Sequence, residues 1–315
     1  MSQTVSNLGE FGLINRITRD LPTSPAVSVG PGDDGAVFLV NGSVVSTVDM
    51  LVEDVHFKRS WCSGQDVGRK LVGANVADLE AMGAKPVALV AAVSLPKDLE
   101  ESWVREFATG LRDEATLADA SLVGGDIVTG EKIVVSLTAI GQTDGLQPIL
   151  RSGARVGDVV AIRGRLGWSS AGLATLTRGF RSPRTVIEAY RYPQVPYGAG
   201  RQAALAGASA MIDISDGLLA DLGHICQQSN VSIDIDAARL TIAEPVATVG
   251  AALNTNPLDY VLTGGEDHAL AATFAVGNVP DEWDVIGVVE APSEGSSVTV
   301  DGAAWQTENL GWTHF

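Results

Sequence analysis

The sequence predicts two mixed domains, α/β or α+β, meeting near residue 148. Three observations carry that expectation. A length of 315 residues is more than one hydrophobic core ordinarily serves. Short apolar runs alternate with segments of helical periodicity, without the strict regularity of a barrel. A polar, glycine-punctuated stretch, Arg151-Ser-Gly-Ala-Arg-Val-Gly157, reads as a junction between two such series. The expected domains are 1–148 and 149–315.

The elements follow in order. From Leu8 to Leu21 the residues Leu8, Phe11, Leu13, Ile14 and Ile17 have helical spacing. A turn-rich stretch from Ser28 to Gly35 precedes a strand around Val44–Val48. Val67–Met82 reads as a helix, Val87–Leu95 as a buried strand that stops at Pro96, and Trp103–Leu117 as a second amphipathic helix. Leu122-Val123 runs into Gly124-Gly125-Asp126, and Lys132–Ile140 is a further strand. Beyond the junction come a strand at Asp158–Ile162, another at Met211–Ile214 feeding a helix from Gly217, and a strand at Val231–Ile235. Asp259–Thr263 then leads into Gly264-Gly265-Glu266-Asp267.

Composition excludes several classes of function. The apolar fraction of 45% suits packed cores and argues against global disorder. A formal charge of −17 argues against nucleic acid or an anionic membrane as partner, while a small anion remains compatible if cations bridge the two negative parties. Cys62 and Cys226 lie far apart and form no metal-ligand pattern, so reduced, partly buried thiols are expected. MSQTVSNLGEFG lacks a basic n-region and an apolar h-region, and no apolar run reaches the ~18 residues of a membrane helix. The expectation is a cytoplasmic protein.

The chemistry-bearing motifs are acids beside glycine or hydroxyl residues. Gly30-Pro-Gly-Asp-Asp-Gly35 has the letters of a dinucleotide fingerprint, but Asp33 and Asp34 would repel a pyrophosphate, and a strand-like stretch follows. Carboxylates in such a turn suit a cation or simply solvent. Val44-Val-Ser-Thr-Val-Asp49 delivers the hydroxyl of Thr47 and then a carboxylate, with Glu53, Asp54 and His56 close behind. On the helix after Val67, Asn75 and Asp78 share a face at i, i+3; Asp78 is either a buried cap or ion pair, or a metal ligand. In Asp213-Ile-Ser-Asp-Gly217, Ser215 or Asp216 alone would be explained as a helix cap, which leaves Asp213 unexplained. Five separate strand or helix ends carry this pattern in a chain of only 19% charged residues, and the count points to oxygen ligands for metal.

No P-loop, H-E-x-x-H, C-x-x-C or G-x-S-x-G motif occurs. Gly167-Trp-Ser-Ser-Ala-Gly172 approaches the last and reads better as the start of a helix, whose N–H groups could bind an anion. With five lysines, neutralising phosphate falls to arginine and metal, and magnesium fits, held by few carboxylates plus substrate phosphates.

Taken together, GDDGAV, STVDMLVEDVHF, NVADLEAMGAKP, LVGGDIV, RSGARVGD, IDISDGLLADLGHI and LTGGEDHAL resemble the thiamine-monophosphate kinase family, in its order and spacing, from Gly9 to the terminal Gly311-Trp-Thr-His-Phe315. The resemblance implies the aminoimidazole-ribonucleotide synthetase-like fold. Its N-terminal α+β sheet domain (1–148) binds ATP and Mg2+ and dimerises, its C-terminal α/β domain (149–315) completes the site, and the ligands lie between. It implies metal ligands at Asp33, Asp34, Thr47, Asp49, Asp78, Asp126, Asp213 and Asp216. It implies ATP contacts at Gly125, Asp126, Arg151 and Ser215, and thiamine-phosphate contacts at His56, Glu266 and Trp312. Asp126, Arg151 and Asp216 would carry the catalysis. Two positions depart from the family pattern: Val48 replaces a hydroxyl residue, and Ala108 stands where an aromatic residue near the adenine is expected.

The implied reaction is direct in-line transfer of the γ-phosphoryl group of ATP to thiamine monophosphate in a homodimer. Relatives in the superfamily are the nearest alternatives. Selenophosphate synthetases use a Cys and a Lys near the N-terminus, where this chain has no Cys before Cys62 and no Lys before Lys58. The hydrogenase-maturation dehydratase ends in a functional Cys, where this chain ends in Trp-Thr-His-Phe. A nucleotide-sensing module without catalysis is the alternative of a different class.

Overall fold

The computed structural model describes residues 4–19, 21, 24–293, 297–307 and 311. The chain separates into two units, Met1–Leu79 with Ala84–Gly145, and Glu80–Gly83 with Leu146–Phe315. No helix among the described residues is long and apolar enough to cross a membrane.

In the first unit, α1 (Val5–Thr18), β1 (Val27–Val29) and β2 (Val37–Phe38) precede β3 (Val44–Val52), α2 (Gly64–Ala81), β4 (Lys85–Leu95), α3 (Glu101–Leu117), β5 (Ser121–Thr129) and β6 (Val134–Gln142). Four strands form a sheet in the order β3-β6-β4-β5. Only β4 and β5 run parallel; the other two pairings are antiparallel. Period-two patterning decides which face is which. On β3, Val45 and Leu51 are buried, whereas Val44, Ser46, Val48 and Met50 are exposed. The buried face packs a core to which α2 adds Leu71, Val76 and Leu79 and α3 adds Val104, Phe107 and Leu111. The other face carries Val48 (61% exposed), Met50 (52%) and Val128 (54%). Its opposite end is covered by the β1–β2 ribbon, where Val27 and Phe38 pack on Val87, Val90, Val123 and Ile140.

The second unit contains β7 (Val159–Arg163), α4 (Trp168–Thr177), α5 (Arg184–Arg191), α6 (Ala199–Ala206), β8 (Ala210–Asp213), α7 (Leu218–Ser229), β9 (Ser232–Ile235), α8 (Glu244–Leu253), α9 (Pro257–Thr263), β10 (Leu270–Phe274), β11 (Asp284–Glu290) and β12 (Val298–Val300). Its sheet has the order β12-β9-β11-β7-β10-β8 and is antiparallel except at β12–β9. Both faces are covered, so β8 and β10 read as continuous apolar runs. One face packs Ile212, Ala271 and Ile286 on Leu218, Leu222 and Ile225 of α7. The other packs Met211, Leu270 and Phe274 on Ala199 and Ala203 of α6. Buried Glu80 belongs here because its two oxygens accept the N–H groups of Gly198 and Gly200 at the start of α6, both at 2.8 Å.

Two local expectations need correction, and one segment gains its element. Gly124-Gly125-Asp126 is not a turn but the middle of β5. Parallel pairing with β4 carries the strand through, and Gly125 fits because a Cβ there would meet the Ala91 carbonyl. Thr47 and Asp49 likewise lie within an edge strand rather than at its end, since pairing with β6 continues to Val52. The segment before Gly264 is a helix, α9, whose first turn Asn256 caps by accepting the N–H of Leu258.

Candidate active site

The expected ligand residues of the first unit fall into three places: the two faces of the four-stranded sheet and the loop between β1 and β2. On β3, Thr47 Oγ1 donates to Asp78 Oδ2 on α2 at 2.5 Å, and the Asp49 N–H donates to Asn75 Oδ1 at 2.9 Å. Asn75 is fully buried and donates its amide to Leu71 O. The i, i+3 pair on α2 therefore meets the i, i+2 pair on β3, and four oxygen-bearing side chains share one edge. Asp126 stands elsewhere. It is paired with Ala92, Ala92 with Ser136, and Ser136 with Met50, so it shares the exposed face of Met50 and not the face of Asp49. The strands β3 and β5 are three spacings apart, about 14 Å. Asp33 and Asp34 are exposed on the loop joining β1 to β2, with Asp33 Oδ1 accepting the Asp34 N–H at 2.9 Å.

His56 is fixed by its own turn. Its Nδ1 accepts the Val52 N–H at 3.0 Å, which leaves the proton of the neutral ring on Nε2. Buried Glu53 anchors the same turn to Arg59 and to the Ile133 N–H, and fully buried Lys70 approaches the His56 carbonyl at 3.4 Å.

In the second unit two acidic turns cross beyond the paired ends of β8 and β10. The Ile214 N–H donates to Ala269 O, the His268 N–H to Ile214 O, and the Glu266 N–H to Ser215 O, at 2.8, 2.8 and 2.7 Å. Glycine is required at the crossing. A Cβ on Gly265 would lie 2.5 Å from Ser215 O, and one on Gly217, whose φ is +135°, would lie 2.7 Å from Thr263 O. Glu266 (φ 66°) and His268 (φ 50°) both hold left-handed backbone, a cost of order 1–3 kcal/mol each that tends to gather at functional sites.

This crossing brings together Asp213, Ser215, Asp216 and Glu266, and adds residues that motif reading did not select. Buried Asp213 lies 3.1 Å from Nδ1 of buried His268. Asp221 Oδ2 accepts the N–H groups of Ser215, Asp216 and Gly217 at 3.1, 3.0 and 3.0 Å. Burial and the nearby Asp213 carboxylate, with a smaller contribution from Asp216, push the Asp221 carboxyl up to about 7 against those hydrogen bonds. Asp216, Asp221 and His224 place ligand atoms within 4.8 Å of one another, the one such trio among the described His, Cys, Asp and Glu residues. The signal for Asp221 and His224 was present: acid and imidazole at i, i+3 in the opening turns of a helix.

Asp267 answers the question left by Gly167–Gly172. Its oxygens accept the N–H groups of Gly167 and Ser169 at 2.5 and 2.8 Å, so a carboxylate of the chain itself already occupies the start of α4. Burial pushes the Asp267 carboxyl up to about 7, partly opposed by those hydrogen bonds.

Arg151 and Ser215, both expected at ATP, lie near opposite ends of α7. Ser229 at its far end donates to Arg151 O at 2.9 Å, so the two main-chain segments are about 18 Å apart. Arg151 itself is exposed. Gly311 lies against the crossing, since a Cβ there would come within 2.8 Å of Asp216 O. Trp312 lies outside the described residues. Cys62 and Cys226 are both buried and unbonded to each other.

Residues 32–143 match the family described as AIR synthase related protein, N-terminal domain, and residues 155–299 match its C-terminal domain. Those two matches define the class: a two-domain AIR synthase related protein with mixed sheets and helices. Within that class, the thiamine-monophosphate kinase of Mycobacterium tuberculosis (strain H37Rv) is 45% identical over 317 residues, covering 100% of this chain and 94% of the relative. A thiamine-monophosphate kinase structure from Stenotrophomonas maltophilia K279a superimposes with a TM-score of 0.80 at 32% identity, covering 95% of this chain and 98% of that one. The structure of AaThiL complexed with AMPPCP and TMP gives 0.79 at 35% identity, covering 99% and 98%. The chain belongs to the thiamine-monophosphate kinase family.

Proposed function

We propose that this chain is a thiamine-phosphate kinase that moves the γ-phosphoryl group of ATP onto the phosphate of thiamine monophosphate. The observation that carries this reading is the crossing of the 213–217 and 264–268 turns in a chain of that family. It sets Asp213, Ser215, Asp216 and Glu266 side by side on glycine-tight backbone. The acceptor is a phosphate monoester with a second pKa of ~6 and is mostly dianionic at neutral pH. Its oxygen needs no general base. The barrier is repulsion between two polyanions, so catalysis reduces to alignment and charge stabilisation.

The donor sets fit a hard divalent cation: the Thr47 hydroxyl on the Asp78 carboxylate with Asp49 next along the same face of β3, and Asp213 and Asp216 both beside Asp221. Magnesium bound there would supply the positive charge that the chain lacks, with Asp33, Asp34 and Asp126 as further ligands. The protein's own part is orientation. Asp78 and Asn75 hold the β3 pair, His268 faces Asp213, and the Val52 N–H fixes the His56 ring. Gly125, Arg151 and Ser215 would bind ATP, and His56, Glu266 and Trp312 the thiamine phosphate.

We also propose a homodimer through the open sheet face. Val48, Met50 and Val128 are exposed there beside Asp126, and a second copy would cover them. The test of the function is ADP release by the purified chain with magnesium and ATP. Release that requires thiamine monophosphate supports the kinase. Release indifferent to it favours another ATP-dependent enzyme of the superfamily, and no release favours the sensor alternative.

A further inference from the structure

A helix start presents N–H groups without partners in the helix, and a Ser or Asp at or just before the first turn ordinarily takes one of them. Two candidates, Ser215 and Asp216, immediately precede α7, yet its N-cap residue is Gly217 and no side chain at that position caps it. Asp221 does not take the first-turn N–H groups either, since α7 begins at Leu218; it acts on the residues before the helix. Asp221, one turn into the helix and 2% exposed, reaches back so that three consecutive main-chain N–H groups, of residues 215, 216 and 217, converge on one oxygen. For a purely structural loop tie this is the costly choice, because a carboxylate is buried beside two others, Asp213 and Asp216, where a neutral amide or hydroxyl would serve. What the arrangement achieves is local. It folds the Ser215–Asp216 backbone over a non-helical Gly217 (φ 135°, ψ 148°) and holds the Ser215 carbonyl where it accepts the Glu266 N–H.

We propose that Asp221 is a positioning residue for phosphoryl transfer: by gathering the three N–H groups it fixes the loop from which Ser215 and Asp216 meet nucleotide and metal. This rests on the kinase reading above. Asp221 acts through the loop and touches no reacting atom.

The experiment compares Asp221→Ala, which removes the acceptor, with Asp221→Asn, which keeps an oxygen for the three donors, in the full-length chain. Asp221→Ala should lower kcat at least about thirtyfold and raise the magnesium concentration for half-maximal turnover at least about tenfold. Asp221→Asn should return both to within about threefold of the wild type. In an Asp216→Asn background, Asp221→Ala should add less than about threefold, because both changes act on one loop. A fall in melting temperature with unchanged kinetics of the folded enzyme would overturn the proposal, as would full additivity with Asp216→Asn. If Asp221→Ala does not fold, Asp221→Asn decides alone. Near-wild-type turnover supports positioning through the oxygen, and a loss beyond tenfold with the 215–217 amides still protected from exchange rejects it. Hydrogen exchange also separates this proposal from the function. Unchanged 215–217 protection in Asp221→Ala sinks the positioning role even in an active kinase. Lost protection sustains the hold of Asp221 on the loop even if the wild type makes no thiamine diphosphate.

Discussion

Gly265→Ala puts a single methyl group into the crossing of the two acidic turns. The added Cβ would lie 2.5 Å from Ser215 O and 3.2 Å from Asp216 O, where ordinary contact begins at 3.4 Å. Neither neighbour is the end of a flexible side chain, so backbone must move by about 0.9 Å. Overpacking of this kind costs about 1–3 kcal/mol, and for a unit of this size that lowers the melting temperature by roughly 3–10 °C. The functional effect should be larger than the stability loss suggests. The same displacement shifts Ser215, Asp216 and Glu266 relative to one another, and misplacement on the order of 1 Å can cost about a hundredfold in rate. We expect kcat for ADP release to fall roughly 10- to 100-fold in protein that remains folded by circular dichroism. Gly223→Ala on α7 is the control, because its nearest neighbour is the Ser297 hydroxyl at 4.0 Å. Alanine there should be neutral or stabilising by up to about 1 kcal/mol. Wild-type turnover and melting in Gly265→Ala would refute the argument that the crossing sets the site.

Asp126→Asn and Asp216→Asn should each lower turnover at least about a hundredfold while melting stays within ~2 °C; unfolding instead would assign these residues to structure. Light scattering should give a homodimer at micromolar concentration, and Met50→Glu on the open face a monomer; a wild-type monomer contradicts the sheet-to-sheet assembly. Asp267 sets a pH dependence. Its folded carboxyl titrates at about 7, against about 3.9 unfolded. Between those values the folded state holds a proton that the unfolded state has released, so this group's contribution falls as pH rises from about 4 to 7. Relative to Asp267→Asn, wild-type stability should decline over that window by up to about 4 kcal/mol in urea titrations, and a constant difference would contradict it.

How much was legible in the sequence follows from what each signal encodes. The helix α3 stood out because a buried face imposes its period on the chain, and α2 and β4 because burial on nearly all sides leaves long apolar runs. The acids beside glycine also stood out, since such turns tolerate few other residues. Strand pairing was not legible. That Asp126 lies inside β5, on the face opposite Asp49, depends on which strands become neighbours, and register follows from long-range pairing rather than from local pattern. Asp221 lay within local reach, four to six positions from the N–H groups it gathers, but Asp267 and His268 were not legible for the same reason as Asp126. Each is an unremarkable residue in its own segment and gains a role only when a second segment arrives, as when Asp267 meets the start of α4 or His268 meets Asp213. Gly265 was visible as a glycine, but the reason for it, the Ser215 carbonyl, lies fifty positions away.

The central claim is tested most directly by the identity of the product. The purified chain, given ATP, magnesium and thiamine monophosphate, is followed by chromatography and 31P NMR. The account predicts one thiamine diphosphate formed for each ADP, with no inorganic phosphate released. ADP and inorganic phosphate accumulating while thiamine monophosphate remains unchanged would contradict it.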